Sequence, residues 1–345
     1  MVPPRPALTS PRVSAGLFGV VLGIAGLGGA WRLAARAWGL FPAVGECLFG
    51  LAALIWAVLL GLYALKWIFD RRLAQAEAAH PVSGCFISLV GVTTMLISLG
   101  ALPYSRALAE PLFWTGASFT FLFALWRIGV LWQGGREAAA VTPVLYLPAV
   151  AGGYVTAIAA TAFGYPGLAR CAFGAALLTW IAIESVLLQR LYHLPAMAPS
   201  LRPSLGIQMA PPAVGLSAYL SLNGGAPDLP AQMLLGYGLF QAALLVRLLP
   251  WILRQPFNAS YWAFSFGLAA LAASLIRMDE AGQGGLAAWL APPVFVLVNA
   301  VILWIGALSL RSGLRGGFSP PSGPRPAASS SDQVYAALVP GRLNE

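Results

Sequence analysis

The feature that most constrains this chain is a succession of apolar stretches, each long enough for one membrane crossing, that runs almost unbroken from Val13 to Leu310. A bilayer core about 30 Å thick needs about 20 apolar residues per helical crossing. In lipid the backbone polar groups have to be satisfied within the segment, and a helix does that. The spacing predicts about ten spans, over residues 13–32, 42–68, 83–102, 108–133, 142–163, 166–191, 203–222, 229–253, 258–277 and 285–309. Charged residues make up 9% of the chain and apolar ones 59%, whereas soluble domains carry roughly a quarter charged residues. The expectation is an all-α polytopic membrane protein with one transmembrane domain, residues 13–310. A Pro-rich tail (1–12) precedes it, and a disordered Pro/Ser/Gly/Ala tail (311–345) follows, too poor in apolar residues to fold alone. The first apolar run continues through Gly28 and Gly29 to Trp31-Arg32 without a small-residue cleavage pattern, so it reads as a span rather than a signal peptide.

The formal net charge is +9, yet the basic residues sit singly or in pairs between apolar runs. A nucleic-acid binder gathers them on one face, so no nucleic acid is expected as partner. With the amino terminus inside, thirteen basic residues fall on the cytoplasmic side, among them Arg71, Arg72, Arg202 and Arg254. Five fall outside: Arg32, Arg36, Arg106, Arg170 and Arg277. That bias places both termini in the cytoplasm, and an inner (plasma) membrane is the expected location. Cys47, Cys85 and Cys171 lack metal-ligand spacing, and His80 and His193 lie at loop edges. No cofactor, metal or catalytic residue is expected, and an enzyme is the least favoured class.

The odd-numbered spans begin at regular intervals, one helical hairpin apart, which suggests five hairpins. Odd spans hold Gly and mid-helix Pro (Gly19, Gly23, Gly26, Pro148, Pro211), whereas even spans are richer in Leu and Trp. Pro and Gly are tolerated in a span where protein or a water-filled cavity re-satisfies the freed backbone. The expectation is therefore odd helices inside, lining a pore, and even helices outside against lipid.

The ninth span sorts onto two faces at helical period. Phe264, Leu268, Leu271 and Leu275 form a bulky stripe, while Phe266 is the one large side chain on a face of small residues that includes Ala270 and Ala273 and ends at Arg277. A lone aromatic among alanines suits a hydrophobic constriction. It equally suits a ring filling a gap against a glycine-rich neighbour, and periodicity leaves both open. Arg277 either attracts anions at the outer mouth or is an ordinary snorkelling arginine. Glu184, Arg127 and Arg247 are ionisable groups well inside even spans. Charge at such depth is usually paired, so Glu184 is expected to be structural, with Arg127 or Arg247 as its partner.

Several segments are similar to the tellurite-resistance/dicarboxylate transporter family, which includes bacterial TehA and the plant slow anion channels. They are Phe18-Gly19 through Gly23 and Gly26 to Trp31-Arg32, His80-Pro81-Val82, Leu147-Pro148 to Gly153, Arg202 to Pro212, and Tyr261 to Leu271. The resemblance covers Val13 to Leu310. It implies a homotrimer with one pore per protomer, odd helices within and even helices without. It also implies a phenylalanine of the ninth helix closing the pore near its middle, at Phe266, with Phe264 as fallback. The long regulatory termini of the plant members have no counterpart here. The function expected is passive passage of small anions of the chloride or nitrate kind, because walls of Gly, Ala and apolar groups hold no ring of charge to grip one ion. The alternative is a carrier or exporter of oxyanions or C4-dicarboxylates such as tellurite, sulfite or malate, which needs converging polar groups at midplane.

Overall fold

The computed structural model describes residues 13–282 and 285–314, which are helix, turn and bend with no strand among them. The expected tail at 1–12 and most of that at 311–345 lie outside the described residues. Eleven α-helices are α1 (Phe18–Trp38), α2 (Ala43–Phe69), α3 (Arg71–Ala79), α4 (Leu89–Ala101), α5 (Arg106–Trp132), α6 (Gly152–Phe163), α7 (Pro166–His193), α8 (Ala210–Leu222), α9 (Leu229–Ile252), α10 (Ser265–Glu280) and α11 (Gly285–Leu314). Ends follow local chemistry. α1 and α6 stop at Gly39 and Gly164, both at positive φ, where a side chain would be strained. The side chains of Ser105 and Asp228 accept hydrogen bonds from the first-turn amides of Leu108 and Ala231 and so cap α5 and α9.

Among the described residues nine helical stretches are long and apolar enough to cross a membrane. The seventh expected span is present as helix but falls outside that set. Its first half, Pro199–Met209, is 3-10 helix leading into α8, and Arg202, Ser204, Gln208 and the prolines dilute its apolar character. α3 was not expected at all, since a nine-residue polar helix leaves no membrane-length signal. α1 and α11 run past their expected ends, to Trp38 and Leu314.

Each odd span begins in tighter or looser winding before it becomes α-helical. The segments are Ala15–Leu17, Ser83–Ser88, Pro143–Leu145 with the π-turn Leu147–Ala151, Pro199–Met209, and Ala259–Phe264. The even spans are α-helical throughout. A 3-10 turn bonds its backbone groups in poorer geometry than an α-helix, and where the winding changes some are left for neighbours that lipid could not supply, so this winding belongs inside protein. Burial agrees. In the apolar stretches of Ala15–Trp38, Ser83–Ala101, Pro143–Phe163 and Ala259–Glu280, 56, 78, 61 and 72% of residues are buried, against 17 to 28% in the other five.

The inner helices form a closed ring, with α1 packed on α4, α4 on α6, α6 on α8, α8 on α10 and α10 back on α1. Each also packs on the outer helix that follows it in the chain. Glycines permit these contacts. A Cβ on Gly91 of α4 would stand 2.7 Å from the Gly116 carbonyl of α5, and one on Gly116 would stand 2.7 Å from the Gly91 carbonyl. Two backbones approach this closely only where side chains are missing.

Candidate functional site

Two cavities lie within the ring. The larger, about 980 Å³, is lined by residues from the C-terminal ends of the inner helices, including Arg32, Leu99, Thr161, Ser221 and Arg277. The smaller, about 50 Å³, lies among the irregular N-terminal segments and is lined by Gly16, Phe86, Tyr146, Ser204 and Ser260 among others. Phe266 and Val214 border both.

Phe266 is the second residue of α10 and is 7% exposed. Its ring rests on α1 at Gly26, where a Cβ would come 2.9 Å from Phe266 Cδ2. Three residues earlier, a Cβ at Gly23 would stand 2.3 Å from Ser265 Oγ, so Gly23 lets α10 approach α1. The ring thus packs on a glycine, as one of the two expectations had it, and it also borders both cavities.

The remaining expected pore residues divide. Gly19 and Pro211 line the small cavity, while Gly26, Ala270, Ala273 and Arg277 line the large one. Gly23 and Pro148 line neither. Gly23 is spent on packing, and Pro148 sits buried in the π-turn that carries Leu147, Val150 and Ala151 to the wall. Phe264, the fallback, lines neither of the two cavities. Its ring lies against Gly206, where a Cβ would come 2.8 Å from Phe264 Cδ2. The stripe of Leu268, Leu271 and Leu275 is buried against protein rather than turned to lipid.

The charges are arranged differently from expectation. Glu184 meets neither Arg127 nor Arg247. Its Oε2 accepts hydrogen bonds from Tyr146 and from Trp180 Nε1 (3.1 Å), and its Oε1 from Tyr237 (2.6 Å), Gln208 (3.1 Å) and Gln241 (3.4 Å). Five neutral donors from α7, α9 and the segments before α6 and α8 replace the expected cation. Arg127, 3% exposed, donates to the carbonyls of Ala78, His80 and Pro81 at 3.2, 2.9 and 2.8 Å, holding the end of α3. Arg247 is exposed on α9 and joins no ion pair among the described residues.

At the wide end Arg32 pairs with Glu46 at 2.6 Å, and Arg36 lies 3.6 Å from Glu280. Arg277 forms no ion pair within 4.0 Å among the described residues; its Nη1 donates to Ser221 Oγ at 2.7 Å. Three cations against two carboxylates line this cavity, which leaves it one positive charge in excess. No group of three or more His, Cys, Asp or Glu suited to a metal occurs among the described residues.

The family model described as "Voltage-dependent anion channel", SLAC1, matches residues 12–310, nearly the whole chain. The chain belongs to the SLAC1 anion-channel family. It is 40% identical over 263 residues to the tellurite resistance protein TehA homolog of Haemophilus influenzae, covering 75% of this chain and 79% of that one. It is 26% identical over 275 residues to the S-type anion channel SLAH4 of Arabidopsis thaliana, covering 77% and 74%. The guard cell S-type anion channel SLAC1 of the same plant is 24% identical over 228 residues, 64% of this chain and 41% of that one. As a member of this family, whose relatives are anion channels and transporters, the chain is a multi-pass membrane protein. In this SLAC1-family chain, sequence reasoning missed the donors around Glu184. Trp180 precedes Glu184 by one helical turn, and Tyr237 and Gln241 share a face at the same spacing, a signal that lay open. It also missed Val214 and Ser221, which carry no charge to draw attention.

Proposed function

We propose that this protein is a passive channel for small inorganic anions, of the chloride or nitrate kind, occluded by the ring of Phe266. The single observation that carries the reading is that Phe266 borders both cavities, so that an ion moving from one to the other passes its ring. The walls beside it are small or apolar, and a passage of that character closes by excluding water. Arg277 supports the anionic preference, because its uncompensated charge raises the local anion concentration at the wide end. In this reading Pro199–Leu222 is a tenth crossing, and five hairpins surround the path with odd helices inside. The thirteen-to-five charge bias puts both termini in the cytoplasm of a bacterial inner membrane. The protein works as a homotrimer with one path per protomer.

Planar-bilayer recording of the purified protein tests this. Phe266→Ala is expected to raise chloride conductance roughly tenfold or more; a variant no more conductive than wild type removes the gate. The tellurite resistance named for the Haemophilus influenzae relative favours a second reading, a carrier of oxyanions or dicarboxylates. Saturable flux at low unitary rate supports that one, and single-channel currents exclude it.

A further inference from the structure

We infer that the C-terminal end of α9 carries a binding site for one anionic phospholipid, its phosphate held by Arg247, Arg254 and Arg202 around the ring of Trp251 and an acyl chain laid along Phe240 and Leu244. The site lies on the outer face of the bundle, so it stands whether or not the path inside conducts. Phe240, Leu244, Arg247 and Trp251 follow one another at steps of three and four residues, which puts them on one face of α9. Arg254 comes next, in the turn that follows the helix. Phe240 and Leu244 are 56 and 40% exposed, and Arg247 and Arg254 are exposed as well. One face therefore offers an apolar strip that ends in cations, in the order chain then headgroup.

The cations are free to take a phosphate. Arg247 lies inside the apolar stretch Leu229–Ile252, about 8 Å short of its end at 1.5 Å per residue. A charge on the lipid side at that depth is costly unless its long side chain reaches the headgroup level, which brings it toward Arg254. Arg202 comes from the Pro199–Met209 segment, and its guanidinium carbon stands 4.2 Å from the centre of the Trp251 ring. Within the protein it gives only Nε, to the Met197 carbonyl at 3.3 Å. None of the three arginines forms an ion pair within 4.0 Å among the described residues. Three cations around one indole thus lack an anion, and a guanidinium matches phosphate in a two-pronged way. Basic clusters at this level of a membrane protein recognise anionic headgroups, and a tryptophan suits the same level. Water alone would satisfy a single snorkelling arginine, but it brings no charge to balance three. The same segment that holds Arg202 also holds Gly206, where an added Cβ would come 2.8 Å from Phe264 Cδ2. A headgroup bridging Arg202 to Arg247 and Arg254 therefore ties the entry to α8 onto α9, and its binding stabilises the folded chain.

Native mass spectrometry of the purified protein in detergent, titrated with phosphatidylglycerol and separately with phosphatidylcholine, tests the site. Phosphatidylglycerol is expected to bind roughly tenfold more tightly than phosphatidylcholine. Arg247→Gln and Arg254→Gln should each weaken it about fivefold. Trp251→Leu, which keeps all three charges but removes the surface on which Arg202 rests, should weaken it about threefold. Arg71→Gln, which removes an exposed cation of α3, should leave it unchanged. Phosphatidylglycerol should also raise the melting temperature of the wild type more than that of the Arg247→Gln/Arg254→Gln double variant. Equal binding of the two lipids overturns the site, as does phosphatidylglycerol binding indifferent to Arg247 and Arg254. A loss as large in Arg71→Gln reduces it to general surface attraction, and inorganic phosphate held as tightly as the lipid removes the acyl strip from it. Copies that bind no lipid yet separate more readily in Arg247→Gln give this face to a second copy of the chain instead.

Discussion

The ring of Phe266 is seated on Gly26: a Cβ added at that glycine would come within 2.9 Å of Phe266 Cδ2 and 3.2 Å of the Ala269 Cβ. One hydrogen in place of a methyl thus decides where the ring rests. The residue that borders both cavities and the helix it leans on come from opposite ends of the chain, and α1 meets α10 only because the ring of inner helices closes.

Gly26→Ala is expected to destabilise the protein by about 1–3 kcal/mol, the usual cost of overpacking a tight contact. Most of that cost should vanish in Gly26→Ala combined with Phe266→Ala, because the clashing ring is then gone. Thermal unfolding in detergent of the two single variants and the double variant gives the coupling directly. Simple additivity would mean that the ring does not sit on Gly26.

Glu184→Gln should lower stability by about 2–4 kcal/mol, since it replaces a charged acceptor of five hydrogen bonds by a half-donor that faces other donors. Glu184→Leu should cost more, leaving Tyr146, Tyr237 and Gln208 without their acceptor. If instead Glu184→Gln unfolded at the wild-type temperature yet abolished ion passage, the carboxylate would belong to the path and its structural assignment would be lost.

His80 makes stability pH-dependent. Its Nδ1 accepts the amides of Val82 (3.2 Å) and Ser83 (3.0 Å), and its pKa lies below the ordinary 6.5, first through burial and then through the charges of Arg127 and Arg136. A histidine depressed in the folded state is neutral there while the unfolded chain already takes up a proton. Its contribution is therefore whole above pH 6.5 and lost as pH falls toward the lower folded value. Melting temperature is expected to drop between about pH 7 and 5, and less so in His80→Asn, whose side chain still accepts an amide. Equal slopes for the two proteins would discount His80.

How much of this was legible follows from what each residue signals. Crossing-length apolar runs signalled nine of the ten expected spans as membrane-length helices among the described residues, and the small-residue face of the ninth span set Phe266 apart before any contact was known. Glycine and proline content separated the inner helices from the outer ones, because packing and irregular backbone need those residues. The same signal could not tell a glycine on a cavity wall from one pressed against a neighbour, which is why Gly19 and Gly23 looked alike. Glu184 was assigned arginine partners because charge is easy to read; tyrosine, tryptophan and glutamine donors become a set only once four separate segments are assembled. The 3-10 entry segments were missed for a related reason, since a short change of winding leaves the apolar pattern nearly intact.

Those entry segments have a mechanical consequence. A 3-10 helix advances about 120° and 2.0 Å per residue, an α-helix about 100° and 1.5 Å. Exchanging one winding for the other across the six residues Ala259–Phe264 turns whatever follows by as much as about 120° and shifts it by about 3 Å along the axis. The first large side chain beyond that segment is Phe266, so a screw motion confined to one end of one helix would swing the proposed gate aside without bending a helix or parting the ring.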